Sequence, residues 1–366
     1  MSHLFSPLAL DTLTLDNRII VAPMCQYSAE DGCATDWHLI HLGHLALGGA
    51  GLLFTEATAV EPEGRISPGD LGLWSDANEA ALARTLAAVR NHSAMPLGIQ
   101  LAHAGRKASC RAPWEGGKQI PPAAGGWQTV APSAIAHNDD DVAPLALDEA
   151  GLGRIREAFV TAAQRACRLG FDTIELHAAH GYLLHEFLSP LANRRDDAYG
   201  GPREQRMRFP LAVFDAVRAA IPATVPLGVR VSATDWIDGG WDRDDTVAFA
   251  HALAERGCAY IDVSSGGVSP HQGVHAEPGY QVPFAERIRQ ETGMTTIAVG
   301  LITDAQQAEE IIATGRADAV ALARGMLYNP RWPWHAAATL GEHGRIDAAR
   351  QYLRCEPADQ RGLFRR

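Results

Sequence analysis

The chain has 366 residues, 46% of them hydrophobic, 20% charged and 7% aromatic, the composition of an ordinary globular protein with a large core. A formal charge of −11, from 32 basic and 43 acidic residues, excludes a broad nucleic-acid footprint or an anionic membrane partner, so any phosphate has to be bound locally. No apolar run is long enough to span a bilayer, the first residues show no targeting pattern, and six cysteines without a Cys-x-x-Cys pair exclude a zinc knuckle or disulfide scaffold and point to the cytoplasm.

In chain order, LFSPLAL and LTLDN predict a small hairpin over residues 1–17 that caps the bottom of the fold. Eight β-rich runs follow: RIIVAP (18–23), GLLFTEA (51–57), PLGIQLAH (96–103), FDTIELHA (171–178), PLGVRVSA (226–233), AYIDVSSG (259–266), TTIAVG (295–300) and ADAVALAR (317–324). Between them lie amphipathic stretches such as 81–90, 151–170, 208–220, 244–257, 283–293 and 304–315, several closed by a glycine in C-cap position. Short apolar strands alternating with helices imply a parallel sheet covered on its outer face, and eight such units close into a (β/α)8 TIM barrel.

An open doubly wound sheet is the alternative. Against it, no strand runs into Gly-x-Gly-x-x-Gly at the start of a helix. One domain over 1–366 is expected, with a Gly/Pro-rich insertion over 104–147 as a lid after the third strand and a C-terminal tail over 340–366.

In such a barrel the reactive groups belong at the carboxyl ends of the strands. Unusual residues collect there: Met24, Cys25 and Tyr27 after the first run, Gln100 and His103 on the third, His177, His180 and Tyr182 after the fourth, Arg230 on the fifth, Gly300 after the seventh, Ala323 and Arg324 after the eighth. His177 and His180 lie where the strand breaks at Gly181. They are open to three readings: ligands of a metal, with His103 or Glu175 as unforced partners; donors that bind and polarise an oxygen; or buried structural histidines.

APMCQY (22–27), EATAVEPEGRI (56–66), QLAHAGRKA (100–108), IELHAAHGYLLHEFLSPLANRR (174–195), DDAYGG (196–201), GVRVSA (228–233) and VGLIT (299–303) together resemble the old yellow enzyme family of FMN-dependent ene-reductases, in order over nearly the whole chain. Cys25, Tyr27 and Tyr352-x-Arg354 resemble its bacterial thermophilic-like branch. That resemblance implies FMN across the barrel mouth, lined by Ala22, Pro23, Met24 and Cys25, the Cys25 thiol tuning its potential. It implies Ala57 and Gln100 on the pyrimidine side, Arg230 beside N1 and the C2 carbonyl, and the phosphate at Gly300, Leu301, Ala323 and Arg324. A small buried cysteine and a rim salt bridge are the plain alternatives for Cys25 and Arg230.

The implied activity is that of an NADPH dehydrogenase reducing enones and related electron-poor alkenes. NADPH gives hydride to flavin N5, His177 and His180 hold the substrate oxygen, hydride passes to Cβ, and Tyr182 protonates Cα. Tyr27 shapes the pocket and can hydrogen-bond the carbonyl, Trp37, Phe187 or a lid residue merely fills space, and Arg354 either reaches a neighbouring subunit of a homodimer or homotetramer or is a solvated terminal arginine. Two departures stand out: Ala323 where relatives have glycine, and Gln205 where they have asparagine. A metal-dependent barrel hydrolase or lyase using His177 and His180, and a non-catalytic flavin or phenol binder, remain the rival functions.

Overall fold

The computed structural model describes residues 2–365. Its centre is a closed barrel of parallel strands: β1 (Ile19–Val21), β2 (Leu52–Ala59), β3 (Leu97–Ala102), β4 (Thr173–Ala178), β5 (Leu227–Ser232), β6 (Ile261–Ser264), β7 (Thr296–Ala298) and β8 (Ala319–Leu322). Each leads to an outer helix: α1 (Asp36–Ala46), α2 (Asp76–Arg90), α3 (Glu149–Arg168), α4 (Arg208–Ala220), α5 (Arg243–Ala254), α6 (Val282–Thr292), α7 (Ala305–Ala313) and α8 (Trp332–Leu340). β8 closes on β1 with Val320 opposite Ile19 and Leu322 opposite Val21. The fold is thus the (β/α)8 barrel expected from the alternating pattern, and the closing ladder removes the open-sheet alternative.

Every residue of these strands is buried, as a sheet covered on both faces requires. Ser75, Asp148, Asp242 and Asp304 start α2, α3, α5 and α7 by accepting backbone N–H groups of the first turn. Helices α1 and α8 carry the weakest pattern in the sequence. α1 leaves Ile40 60% and Trp37 48% exposed, so its apolar residues do not mark one inner face.

The barrel interior is plugged from below. Leu8–Leu10 pairs antiparallel with Leu13–Leu15, and Leu8, Leu10 and Leu15 pack against Ile20, Leu52, Phe54, Tyr260, Ile297 and Ala319. Each buried leucine contributes about 2 kcal/mol, which fastens the hairpin under the barrel. Gly98 and Gly228 carry no side chain in this layer because the rings of Phe54 and Tyr260 fill the space. Above the plug the interior turns polar, with Gln100, Glu175, Arg230 and Asp262 all buried.

The segment after β3 makes short turns and a two-residue parallel pairing of Val130–Ala131 with Leu145–Ala146. Its Trp114 meets the Tyr27 ring edge-on at 5.6 Å, and Arg106 at its base reaches the Val268 carbonyl at 2.6 Å. After α8 the chain runs back beside the amino-terminal ends of the strands, where Ile346 bridges Phe364 and Arg365 lies 3.5 Å from Asp16. A cavity of about 750 Å³ at that end, lined by Asp16, Arg90 and Arg350 among others, contains none of the residues expected in the active site.

Candidate active site

β4 ends at Ala178, and the chain turns through His180 (φ 59°) and Gly181 (φ 74°) before a short helix, Leu183–Leu188, begins after Tyr182. A Cβ on Gly181 would run into the Gly267 backbone, so only glycine fits the turn. The turn is fixed from β5 and β6: His180 N–H donates to Ser232 Oγ at 2.9 Å, and His180 Nε2 lies 2.8 Å from Ser264 Oγ. The result is a compact cluster in which the His177 ring meets His180 at 5.1 Å and Tyr182 at 5.0 Å, both edge-on.

Burial, with Arg230 next, pushes both imidazoles well below the ordinary histidine value, so each is neutral, with one N–H and one lone pair. Burial likewise pushes the Tyr182 phenol well up, leaving a neutral O–H donor. Nδ1 of His177 is buried without a partner, a feature that asks for a ligand atom. Among the described residues no three or more His, Cys, Asp or Glu side chains form a group fit for a metal ion, so the metal reading lacks its third ligand.

After β1 the chain passes through Tyr27 at φ 52°. The loop is pinned by Gln26, whose N–H donates to Glu56 Oε2 at 2.9 Å and whose amide reaches the Met24 carbonyl at 2.9 Å. Glu56 is itself 3.2 Å from His38 Nε2. Burial, then Asp70 and Glu56, pushes the Cys25 thiol well up, so it stays protonated, and burial raises the Tyr27 phenol. Trp37 donates to Gln26 Oε1 at 3.0 Å on the surface, and Phe187 fills space in the core, packing on Phe209 at 4.5 Å.

Gln100 faces Ala57 in the β2–β3 register and donates to Glu175 Oε1 at 2.8 Å. Arg230 Nε lies 3.2 Å from Asp262 Oδ2, the internal anion that an arginine within an apolar strand requires. The partner is inside the barrel, not at its rim. Burial, then the neighbouring Asp262, pushes Glu175 up to about 8. Two carboxyls and one guanidinium therefore share the layer, and burial works against both carboxyls carrying a charge.

Gly300 (φ 118°) and Leu301 (φ 51°) follow β7, and Ala323 and Arg324 follow the adjacent β8. The φ of 118° at Gly300 is one that side chains rarely adopt, so this position requires glycine, and a Cβ there would also approach Gln281 Nε2 to 2.9 Å. Ala323 has φ −102° and ψ −87°, so this position does not call for the positive φ that only glycine adopts freely. Gln205, the other departure, anchors the loop before it: with its amide turned, it donates to the carbonyls of Asp197 at 3.3 Å and Gly200 at 2.5 Å.

Tyr352 and Arg354 do not join this cluster. Tyr352 packs on Trp334 at 6.3 Å beside α8, and Arg354 is exposed. The sequence reading passed over Ser232, Ser264, Asp262, Glu56 and Lys107. The serines and Asp262 lie on β5 and β6, where the same strand-end rule that singles out Arg230 flags them; Lys107 has a compositional signal taken up below.

Residues 3–342 match the sequence pattern of the NADH:flavin oxidoreductase / NADH oxidase family. The chain belongs to that family. It is 46% identical over 353 residues to the NADPH dehydrogenase of Geobacillus thermodenitrificans, covering 96% of this chain and 98% of that one. Its fold superposes on morphinone reductase with a TM-score of 0.76 at 33% identity, covering 93% of this chain and 90% of that one. It also superposes on the old yellow enzyme homologue from Zymomonas mobilis with a TM-score of 0.75 at 28% identity, covering 90% and 91%.

As a family member the protein is an oxidoreductase of the old yellow enzyme type, with FMN as its cofactor and NAD(P)H as its reductant. The residues present fit that flavin. An amide with donor and acceptor at Gln100, a fixed guanidinium at Arg230, and a backbone turn that a Cβ at Gly300 would fill suit the ring edge, its reduced anion and the phosphate. Among the described residues no helix is long and apolar enough to cross a membrane.

Proposed function

We propose that this flavoenzyme reduces the C=C bond of α,β-unsaturated carbonyl compounds at the expense of NADPH. The observation that carries the reading is the neutral His177, His180 and Tyr182 cluster, with rings 5.1 and 5.0 Å apart at the end of β4 and an unpartnered nitrogen on His177. Two neutral imidazoles bind a carbonyl oxygen by donation and draw electron density out of the conjugated alkene. Tyr182, a neutral phenol, gives its proton to Cα, and solvent restores it.

Bound FMN supplies the hydride chemistry that links the nicotinamide to the alkene. In this reading Ala22, Pro23, Met24 and Cys25 line the flavin, Ala57 and Gln100 meet its pyrimidine edge, Arg230 favours its reduced anion, and Gly300, Leu301, Ala323 and Arg324 hold its phosphate. The protonated Cys25 thiol is a hydrogen-bond donor there, not a nucleophile. Tyr27 and the 104–147 segment, which touch through Trp114, cover the substrate. Arg354, exposed and remote from its own site, serves a neighbouring subunit of a homodimer or homotetramer. All six cysteines are unpaired, which supports a reducing compartment, the cytoplasm.

The test is anaerobic. NADPH should bleach the visible flavin band of the purified protein, and cyclohexenone should restore it. Tyr182→Phe should slow the second step by about 10²- to 10⁴-fold and leave the first nearly unchanged. Re-oxidation by the enone at an unaltered rate in that variant overturns the reading.

A further inference from the structure

The chain contains two lysines against 30 arginines, so a lysine is a marked choice in this composition. One of the two, Lys107, sits at the base of the 104–147 segment and turns its ammonium into the active-site cluster. Nζ donates to the His180 carbonyl at 2.7 Å and to the Gly267 carbonyl at 2.9 Å, and it lies 5.0 Å from the centroid of the Tyr182 ring. Three N–H groups thus meet two carbonyls and one aromatic face. Among the described residues no carboxylate is ion-paired with it, and the carboxyl that acts on it most strongly is Glu186. A compact, strongly charged ammonium suits this space better than a planar guanidinium, and its charge is directed at a phenol instead of being cancelled.

We propose that Lys107 is the positioning residue for proton delivery by Tyr182: the His180 and Gly267 carbonyls hold its ammonium in place, and its charge over the phenol ring stabilises the phenolate that remains after the proton leaves. This rests on the reading of Tyr182 as the acid. In the step, the Tyr182 O–H bond breaks, its electron pair stays on the phenolate oxygen, and a C–H bond forms at substrate Cα. Water then returns a proton to the phenolate, while Lys107 keeps all of its own.

The groups facing Lys107 are Arg106 and Cys110 from its own segment, His137 from later in that segment, and His177, His180, Tyr182 and Glu186 from the β4 side. Burial pushes the ammonium down to about 8, and Glu186 is pushed up to about 8. The alkene step in the wild type should therefore fall as pH rises through about 8, where the ammonium loses its charge. In Lys107→Arg it should hold to higher pH. Glu186 titrates in both proteins, so the difference between them reports position 107.

The decisive experiment uses the FMN-loaded protein and stopped-flow single turnovers with NADPH and with cyclohexenone, comparing Lys107→Met, Lys107→Arg, Tyr182→Phe and the double variant Lys107→Met/Tyr182→Phe. Lys107→Met should slow enone reduction roughly tenfold or more while NADPH oxidation stays within about twofold, and Lys107→Arg, which keeps the charge but fits the space less well, should recover part of the loss. In the Tyr182→Phe background the Lys107→Met change should cost less than about twofold, since the charge then has no phenolate to act on. Equal losses in both half-reactions, or a full Lys107→Met loss without the phenol, overturn the proposal and leave Lys107 as a clamp on the loop. If Tyr182→Phe itself leaves enone reduction unchanged, the assignment of the acid fails first; if only Lys107→Met is silent, the acid stands and this inference falls.

Discussion

The Gln100 amide donates to the Glu175 carboxyl across β3 and β4 at 2.8 Å, so a buried acid at the same register orients this amide inside the barrel. Glu175 has an ordinary value of 4.5 and is pushed up to about 8, mainly by burial. The folded protein therefore keeps this proton while the unfolded chain releases it above about pH 4.5, so stability falls as pH rises from there to about 8.

Glu175→Gln removes that loss and still accepts from Gln100. Its melting temperature should gain on the wild type between pH 5 and pH 8, by an amount equivalent to on the order of 3 kcal/mol. Thermal melts of both proteins at the two pH values check it; a difference independent of pH means that Glu175 is ionised in the fold.

Ser264 Oγ lies 2.8 Å from Nε2 of His180, and when its hydroxyl donates there the ring keeps its N–H on Nδ1 for a ligand. Ser264→Ala should weaken binding of a simple phenol about fivefold, the worth of one hydrogen bond, and His177→Ala should weaken it further. Titrating each holoprotein by calorimetry measures this. Because burial holds both histidines well below 6.5, their N–H groups do not titrate near neutrality, and wild-type affinity for an enone should be flat from pH 6 to 8. A rise or fall centred on pH 6.5 would show a histidine in exchange with solvent.

The two phosphate-side positions should respond oppositely. Gly300→Ala places a Cβ 2.9 Å from Gln281 Nε2 at a φ of 118°, so the turn has to move. It should cost roughly 1–3 kcal/mol and lower the FMN retained on purification. Ala323→Gly keeps the backbone N–H at a negative φ that alanine already occupies, and should leave FMN content unchanged. The ratio of visible to ultraviolet absorbance separates the two.

The strands were legible because a covered parallel sheet writes short apolar runs into the chain; seven of the eight runs contain their strand whole, and β2 runs two residues past 51–57 to Ala59. α1 was not, since an apolar outer face at Trp37 and Ile40 erases the amphipathic signal. Individual site positions followed from the strand-end rule, but their partners did not. That Asp262 pairs with Arg230, or that Lys107 spans from the third loop to the fourth, depends on barrel register and loop path, which residue spacing does not encode. Trp37 and Phe187 show the converse: an aromatic next to a motif packs wherever the backbone leaves room.

Arg354 and the end of the tail call for separate tests. Tyr352 packs on Trp334 at 6.3 Å, and farther on Phe364 lies 4.8 Å from the same ring and is 3% exposed. Truncation after Tyr352 thus removes buried Leu363 and Phe364 along with Arg354, and the loss of one large buried aromatic alone costs about 3–5 kcal/mol. Any kinetic change in such a truncate reports unfolding as much as a missing arginine. Arg354→Ala touches only an exposed side chain, so its melting temperature should match the wild type. If the guanidinium enters a neighbouring subunit's site, that variant should raise KM for the enone severalfold with kcat little altered. Sedimentation of both proteins at equal concentration should show the same oligomer. An unchanged KM, or a wild type that sediments as a monomer, removes the arginine from the active site.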